Sequence, residues 1–89
     1  MNIHRFQWNN SNVEHIVRHE VTPEEVEEVF RNRPFFRKAR KDRWIAYGST
    51  ESGRLLFVVF ESVGGTARVV TAREMDLSER RYYRRETGE

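Results

Sequence analysis

The chain has 89 residues, enough for one small domain with a modest single core. It contains no cysteine, which excludes disulfides and thiolate metal ligands. The net charge is only +2, but 14 of the 16 basic residues are arginine, whose planar guanidinium suits contact with phosphate or carboxylate. The N-terminus lacks a signal-peptide pattern and no stretch reaches the roughly 18 apolar residues of a membrane span. We therefore expect a soluble cytoplasmic protein without a membrane partner.

The first 20 residues predict a short strand followed by a helix. Residues 3–8 alternate between apolar and polar side chains, as a half-buried strand does. Ser11 and Glu14 have the spacing of a capping box, which predicts a helix over residues 12–19, although a cap at Asn9 would start it earlier. The apolar face of this helix leaves its histidine and arginine side chains on the far side, free to meet a partner.

A second helix has a clear start signal. Thr22 stands at the cap, Pro23 at the first helical position and Glu25 three residues after the cap. This pattern predicts a helix from Pro23 to about Arg31. The five acidic residues between positions 20 and 30 suit the helix dipole, so a structural role explains them. The seven basic residues within positions 31–43 form a basic block, which is either an anion-binding surface or a solvated face.

The second half of the chain predicts a sheet and a last helix. The run from Leu55 to Phe60 is apolar on both faces, which predicts a strand at the centre of the sheet. Asp76 and Glu79 have capping-box spacing and begin a final helix. We therefore expect one α+β domain over residues 1–89, with two N-terminal helices and one C-terminal helix packed on an antiparallel meander. The strands of the meander are predicted at Phe35 to Ala39, Trp44 to Gly48, Leu55 to Phe60 and Ala67 to Ala72.

The order and spacing of several motifs resemble those of one known family. The motifs are Phe6-x-Trp8, His15-Ile16 and Arg18-His19, Val21-Thr22-Pro23-Glu24-Glu25-Val26-Glu27-Glu28-Val29-Phe30, Gly53-Arg54-x-Leu56-Phe57-Val58-Val59-Phe60, and Arg68-Val69-Val70-Thr71-Ala72-Arg73-x-Met75 followed by Glu79-Arg80 and Tyr83. Over residues 6–83 the chain resembles the BrnT family of bacterial type II toxins. The resemblance implies a RelE-like fold and metal-independent cleavage of RNA without a cofactor. It also implies neutralisation by a BrnA-like ribbon-helix-helix antitoxin, through which alone the toxin would meet operator DNA.

The chain departs from the commonest pattern of the family near His19. Many members have lysine, histidine and glycine in succession after the first helix, whereas Arg18, His19 and Glu20 stand here. The first helix is also one residue shorter between Trp8 and His19. Both departures lie beside the histidine that the resemblance places in the active site.

Cleavage of RNA without a metal requires proton transfer and a cation that stabilises the charge on phosphorus. His19 is the predicted acid or base because histidine exchanges protons near neutral pH; the alternative is a helix-capping or solvent-facing residue. Arg73 is the predicted phosphate clamp. The two-residue period of a strand places it on one face with Val69 and Thr71, and it leaves the sheet beside a helix N-terminus.

Glu79 and Tyr83 are four residues apart in the last helix and face the same way. The Glu79 carboxylate is predicted to orient Arg73 or to act as a base, with a purely capping role as the alternative. The Tyr83 phenol is predicted to contact phosphate or stack on a base, with a place at the edge of the core as the alternative. The predicted catalytic residues are His19, Arg73, Glu79 and Tyr83.

RNA binding is assigned to basic side chains outside the catalytic group. Arg54 and Arg68 each begin a strand and are expected to line the same groove. His15 and His19 have metal-ligand spacing but no third ligand, so we expect no metal site. Two alternatives stay open, a non-catalytic module that binds nucleic acid or protein and a catalytically degenerate toxin homologue. The predicted RNA-binding residues are Arg37, Lys38, Arg40, Lys41, Arg43, Arg54 and Arg68.

Overall fold

The computed structural model describes residues 1–88, and Glu89, the last residue of the predicted domain, lies outside the described residues. Within residues 1–88, no helix has the length and apolar character needed to cross a membrane. The elements are, in order, β1 (Arg5–Gln7), α1 (Asn10–Arg18), α2 (Pro23–Arg31), β2 (Phe35–Arg40), β3 (Arg43–Ser49), β4 (Leu55–Val63), β5 (Thr66–Glu74) and α3 (Leu77–Thr87).

The strands form one sheet in the order β1-β5-β4-β3-β2. The predicted antiparallel meander is present in β2 to β5, and β4 is the central strand as its two apolar faces indicate. Strand β1 adds to the free edge of β5 in parallel orientation, so the complete sheet is mixed. The fold is therefore the expected α+β arrangement with one parallel edge strand.

Helix α1 begins earlier than the Ser11 cap predicts. Its cap is Asn9, whose side chain accepts from the backbone N–H of Asn12, while the Asn12 side chain accepts from the backbone N–H of Asn9. The cap prediction at Ser11 is wrong, and the alternative start at Asn9 is confirmed. Asn12 also donates to the carbonyl of Gln7, which ties the first turn of α1 to the end of β1. This hydrogen bond of the buried Asn12 side chain explains why α1 is capped by Asn9 and Asn12 and does not begin at the Ser11 capping-box pattern.

Helices α2 and α3 begin where their caps predict. Thr22 and Glu25 form a reciprocal capping box at α2, which spans Pro23–Arg31. Asp76 and Glu79 form another at α3. Each box satisfies two backbone N–H groups that a helix start leaves unpaired.

The sheet is covered unequally on its two faces. On the face that packs against α1 and α2, Leu56, Val58 and Phe60 of β4 are fully buried. On the other face, Leu55, Phe57 and Val59 are only partly buried. A smaller cluster of Tyr47, Met75 and Tyr83 lies there beneath α3. We call this second side the α3 face; α3 leaves part of it open.

Strand β5 contains a bulge that changes which side chains share a face. Val59 of β4 is opposite Thr71, but the next residue, Phe60, is opposite Val69, so Val70 has no partner on β4. Val69 is buried against the helices α1 and α2, whereas Thr71 lies on the α3 face. The prediction that Val69 shares a face with Thr71 and Arg73 is therefore wrong. The two-residue period holds only between bulges.

Candidate active site

The α3 face carries three cross-strand rows of side chains, about 7 Å apart along the strands. The first row lies beside α3, the second is mostly uncharged, and the third is charged and lies at the far end. Because the rows follow the register of β2 to β5, they place residues from four segments side by side. The first row is Phe35, Tyr47, Phe57 and Arg73; the second is Arg37, Ile45, Val59 and Thr71; the third is Arg40, Arg43, Glu61 and Arg68.

Arg73 is held from two sides in the first row. Its two terminal nitrogens donate to the two carboxylate oxygens of Glu79, each at 2.8 Å, and its Cζ lies 4.3 Å from the centroid of the Phe57 ring. Nη1 also donates to the carbonyl of Glu74 at 3.2 Å. Hydrogen bonds to Glu79 raise the pKa of Arg73 above its ordinary value, so the guanidinium stays charged. These bonds use three of its five N–H groups, and 35% of the side chain is exposed, which leaves donors for an anion.

The Glu79 side chain both caps helix α3 and binds Arg73. Its Oε1 accepts from Arg73 and from the backbone N–H of Asp76, and its Oε2 accepts from Arg73. Of the two predicted roles, this geometry fits orientation of Arg73 better than proton abstraction, because both oxygens are already engaged. The capping role proposed as the alternative is also present, so the two functions coexist in one side chain.

Tyr83 lies in the core beneath α3. Its side chain is 6% exposed and clusters with Tyr47 and Met75. The ring is therefore closed to base stacking in this structure, and the predicted alternative, an aromatic at the edge of the core, describes its position. Its neighbour Tyr82 is more exposed and packs on Phe35 and Tyr47 in the first row. Sequence reasoning missed Tyr82, although its spacing of three residues from Glu79 also places it on the same side of the helix.

Arg54 joins three elements and is occupied by them. It binds Glu25 of α2 at 2.8 Å, Glu74 of β5 at 3.0 Å and the carbonyl of Glu20 at 2.9 Å. Burial alone would raise the pKa of Glu25, but hydrogen bonds from Arg54 and Thr22 outweigh that effect and lower it. Arg54 is thus a structural clamp.

The expected shared groove of Arg54 and Arg68 is wrong. Arg54 precedes β4, whereas Arg68 is opposite Glu61 near the other end of that strand. Six residues of strand separate the two ends, which is about 20 Å. The antiparallel hairpin itself causes the separation, because the starts of its two strands lie at opposite ends.

The basic block divides between the two faces. Arg37 lies on the α3 face, 3.5 Å from the Tyr47 hydroxyl and over the Tyr82 ring, and Arg40 and Arg43 lie in the third row of the same face. Lys38 is opposite Trp44, and its Nζ lies 4.8 Å from the centroid of that ring. Trp44 packs against the core on the other face. Lys41 lies in the turn between β2 and β3. Together with Arg68 and Arg73, three arginines of the block make the α3 face basic.

A family model described as the ribonuclease toxin BrnT of a type II toxin-antitoxin system matches residues 8–79. The chain belongs to the BrnT family. The matched range contains Arg73 and Glu79 and spans the fold from the end of β1 to the first turn of α3. Membership implies an antitoxin partner and RNA as the target at the level of the BrnT family.

A solved structure supports the BrnT fold independently. The chain is similar to the ribonuclease toxin BrnT of Brucella abortus, known from a crystal structure, with a TM-score of 0.69 and 20% identity. The similarity covers 81% of this chain and 96% of that one. A search of curated proteins found no significant match. At this identity the structural likeness establishes the fold.

His19 does not join Arg73 in this BrnT structure. It is the exposed C-cap residue of α1, and its ring packs edge-to-face on His15 with centroids 5.5 Å apart. Ile16 anchors α1 in the core cluster on the face opposite α3, the helix whose Glu79 binds Arg73. No contact between the described residues joins His19 to either, so its role in proton transfer stays a prediction. Within residues 1–88, no three potential ligands are grouped to hold a metal ion.

Glu20 occupies a position that favours glycine. Its φ is 61°, in the left-handed region that side chains with a Cβ disfavour by about 1–2 kcal/mol. Glycine, which the resemblance leads us to expect after His19, adopts this conformation without that cost. The chain keeps the turn without glycine, and Arg54 binds the Glu20 carbonyl directly.

Proposed function

We propose that this chain is the toxin of a type II toxin-antitoxin system and acts as a metal-independent endoribonuclease. The observation that carries the proposal is the Arg73 guanidinium, fixed by Glu79 and Phe57 at the edge of a basic, partly open face. Membership of a family of ribonuclease toxins supplies the reaction class. Arginine on a rigid mount is suited to a phosphodiester because its fork contacts two phosphate oxygens at once.

In this proposal the ribose 2′-hydroxyl attacks the neighbouring phosphorus and the 5′-oxygen leaves. Arg73 stabilises the negative charge that develops on the phosphate oxygens, and Glu79 keeps the guanidinium oriented so that little reorganisation is needed during the reaction. The permanent charge of Arg73 takes the part that a metal ion plays in other nucleases. His19 is the proposed proton-transfer residue: it takes the proton of the 2′-hydroxyl or gives one to the leaving 5′-oxygen, so it must reach the same phosphodiester that Arg73 binds.

The first test compares the wild type, Arg73→Ala and Arg31→Ala in an inducible bacterial host. Arg31 is a matched control because it is also an ion-paired arginine, bonded to Glu51, and 63% of its side chain is exposed. We expect growth arrest and loss of total RNA integrity with the wild type and Arg31→Ala, and neither with Arg73→Ala. Circular dichroism of the purified variants checks that each is folded. A harmless wild type that is folded would refute the ribonuclease proposal.

Metal independence is tested with purified protein and RNA. We expect equal cleavage rates in buffer with a divalent-metal chelator and in buffer with added Mg²⁺. The Arg73→Ala variant, purified in the same way, controls for contaminating nucleases. Cleavage that stops with the chelator and returns with metal would contradict this part of the proposal.

The proposed partner is a BrnA-like ribbon-helix-helix antitoxin, and operator DNA is reached only through it. Co-expression of a short neighbouring reading frame of that type should restore growth and give a stable complex in size-exclusion chromatography. The isolated toxin should not bind operator DNA specifically, whereas the complex should. Operator-specific binding by the toxin alone would contradict the proposal that the antitoxin provides the DNA contact.

A second candidate function is RNA binding without cleavage. It is favoured by one observation: within residues 1–88, both oxygens of Glu79 are already engaged, by Arg73 and by the backbone N–H of Asp76. A binding module would retain oligonucleotides in an Arg73-dependent manner and leave them intact. The purified wild type, incubated with labelled RNA and assayed for both binding and cleavage, separates the two functions.

A further inference from the structure

The third row of the α3 face contains two arginines joined by one carboxylate. Glu61 accepts from Arg68 through Oε1 and from Arg43 through Oε2, the latter at 3.4 Å. The two arginine side chains are 42% and 50% exposed, while that of Glu61 is 22% exposed. The carboxylate therefore lies behind the two cations, and the cluster presents its guanidinium groups to solvent.

A polar cavity of about 330 Å³ opens beside this cluster. The cavity lies at the edge of β5 just beyond its pairing with β1, where the third row meets the start of α1. Its lining is Arg43, Arg68, Val69 and Val70 from the sheet and Asn9, Ser11, Asn12 and His15 from the α1 side. All six polar side chains of the lining carry N–H or O–H donors, and both arginines are donors at any physiological pH. The lining is thus suited to an acceptor-rich group such as a phosphate.

The charge of the cluster also favours an anion. Two guanidinium groups and one carboxylate leave a net charge of +1. Hydrogen bonding from Arg68 lowers the pKa of Glu61, which keeps the carboxylate ionised and the two arginines in place. Each arginine uses a single N–H in its bond to Glu61, so most of its five donors remain for a ligand.

We propose that this cavity is a second phosphate subsite, which binds a phosphodiester of the RNA strand away from the one held by Arg73. The inference rests on the proposed function only in taking single-stranded RNA as the ligand. Four residues of β4, from Phe57 to Glu61, separate the first and third rows, which is about 13 Å. Between them lie Ile45, Val59 and Thr71, a partly buried and uncharged floor over which the intervening nucleotides pass.

The ordinary explanation of the cluster is a surface ion-pair network that contributes little to stability or binding. The two explanations differ in what they predict for RNA. An ion-pair network without a ligand gives Arg68→Ala the same RNA affinity as any other arginine variant of equal charge. A subsite gives a loss that depends on the length of the oligonucleotide, because a short one cannot reach both Arg73 and the cavity.

The test measures binding of labelled 2′-O-methyl oligoribonucleotides, which cannot be cleaved through the 2′-oxygen, by fluorescence anisotropy. The proteins are the wild type, Arg43→Ala, Arg68→Ala and the matched control Arg31→Ala, each checked by circular dichroism. For an octanucleotide we expect Arg68→Ala and Arg43→Ala to weaken binding roughly tenfold. We also expect the slope of log K against log salt to become shallower by about 0.7, as for the loss of one contact to a single strand. Arg31→Ala should change neither quantity.

A dinucleotide provides the internal control. It spans Arg73 or the cavity but not both, so a smaller effect of Arg68→Ala on the dinucleotide than on the octanucleotide is expected. Equal affinities of Arg68→Ala and Arg31→Ala for the octanucleotide would overturn the subsite. Since binding is measured without cleavage, a protein that binds as expected and leaves natural RNA intact would refute the ribonuclease proposal alone. Cleavage with no effect at Arg68 or Arg43 would refute the subsite alone.

Discussion

Arg73 and Phe57 are directly opposite each other on β5 and β4, and the guanidinium lies 4.3 Å from the ring centroid. The ring supplies a flat, apolar support that Glu79 alone does not provide. Arginine over an aromatic face contributes about 0.5–1 kcal/mol at an exposed site, and it restricts the side chain to one plane. The aromatic row of the sheet therefore takes part in positioning the candidate clamp.

Phe57→Leu should weaken RNA cleavage by about two- to fivefold, because Arg73 loses its aromatic support. Phe35→Leu is the matched control, since Phe35 lies in the same row against Tyr47 and Tyr82 but not against Arg73. Both variants should lose about 1 kcal/mol of unfolding free energy. Urea unfolding and a fluorescent RNA substrate give the two readouts. Equal loss of cleavage in both variants would assign the effect to stability.

Glu79→Gln should separate the two roles of Glu79. Glutamine serves in a capping box as glutamate does, so the unfolding free energy should change by less than about 1 kcal/mol. The charged bidentate bond to Arg73 is lost, and cleavage should fall about tenfold. Glu79→Ala should lose both functions, with a further cost in stability of about 1 kcal/mol. Full cleavage by Glu79→Gln in a steady-state assay would show that Arg73 needs no charged partner.

The ion pair between Glu25 and Arg54 should make stability depend on pH in the acid range. The folded-state pKa of Glu25 lies below its ordinary value of 4.5, chiefly through bonds to Arg54 and Thr22 that outweigh burial. The pair therefore stabilises the fold above about pH 4.5, and this contribution is lost as the pH falls through the lower folded-state pKa. The difference in unfolding free energy between the wild type and Glu25→Gln, measured with urea, should be largest near pH 7 and should shrink as the pH falls below 4.5. A difference that is constant with pH would exclude this linkage.

Glu20→Gly should stabilise the protein. The φ of 61° costs a residue with a Cβ about 1–2 kcal/mol, and the larger backbone entropy of glycine in the unfolded chain offsets part of the gain. We expect a net increase of about 0.5–1 kcal/mol, or several degrees in Tm for a domain of this size. Glu24→Gly, in the first turn of α2, is the control and should lower Tm. A decrease in Tm for Glu20→Gly would mean that its side chain contributes more than the backbone strain costs.

Local signals in the sequence predicted the elements, because each depends on neighbours in the chain. Thr22, Pro23 and Glu25 placed the start of α2 through one capping box. The apolar run of β4 identified the centre of the sheet. The cap at Asn9 competed with the Ser11 pattern, and its bond through Asn12 to Gln7 depends on where β1 ends, which no local pattern specifies.

The candidate site was harder to predict from the sequence than the elements were. It depends on which residues of neighbouring strands are opposite each other. Arg73 and Glu79 are six residues apart and join a strand end to a helix cap, so their ion pair could be predicted from the sequence. The support from Phe57 requires the exact pairing of β4 with β5, and the occupation of Arg54 by Glu25 and Glu74 requires the packing of α2. His19 was grouped with Arg73 by resemblance, whereas among the described residues its ring contact is with His15.

The bulge at Val70 determines that Arg68 and Arg73 point to the same face of the sheet. Arg68 and Arg73 are five positions apart, and in a regular strand an odd interval sends two side chains in opposite directions. The unpaired residue turns the interval into an even one for the sheet, so both arginines emerge on the same side. Deletion of Val70 would leave every arginine in the chain, but Arg68 and Arg73 would then point to opposite faces of the sheet. The composition would stay basic while the α3 face lost one of its arginines.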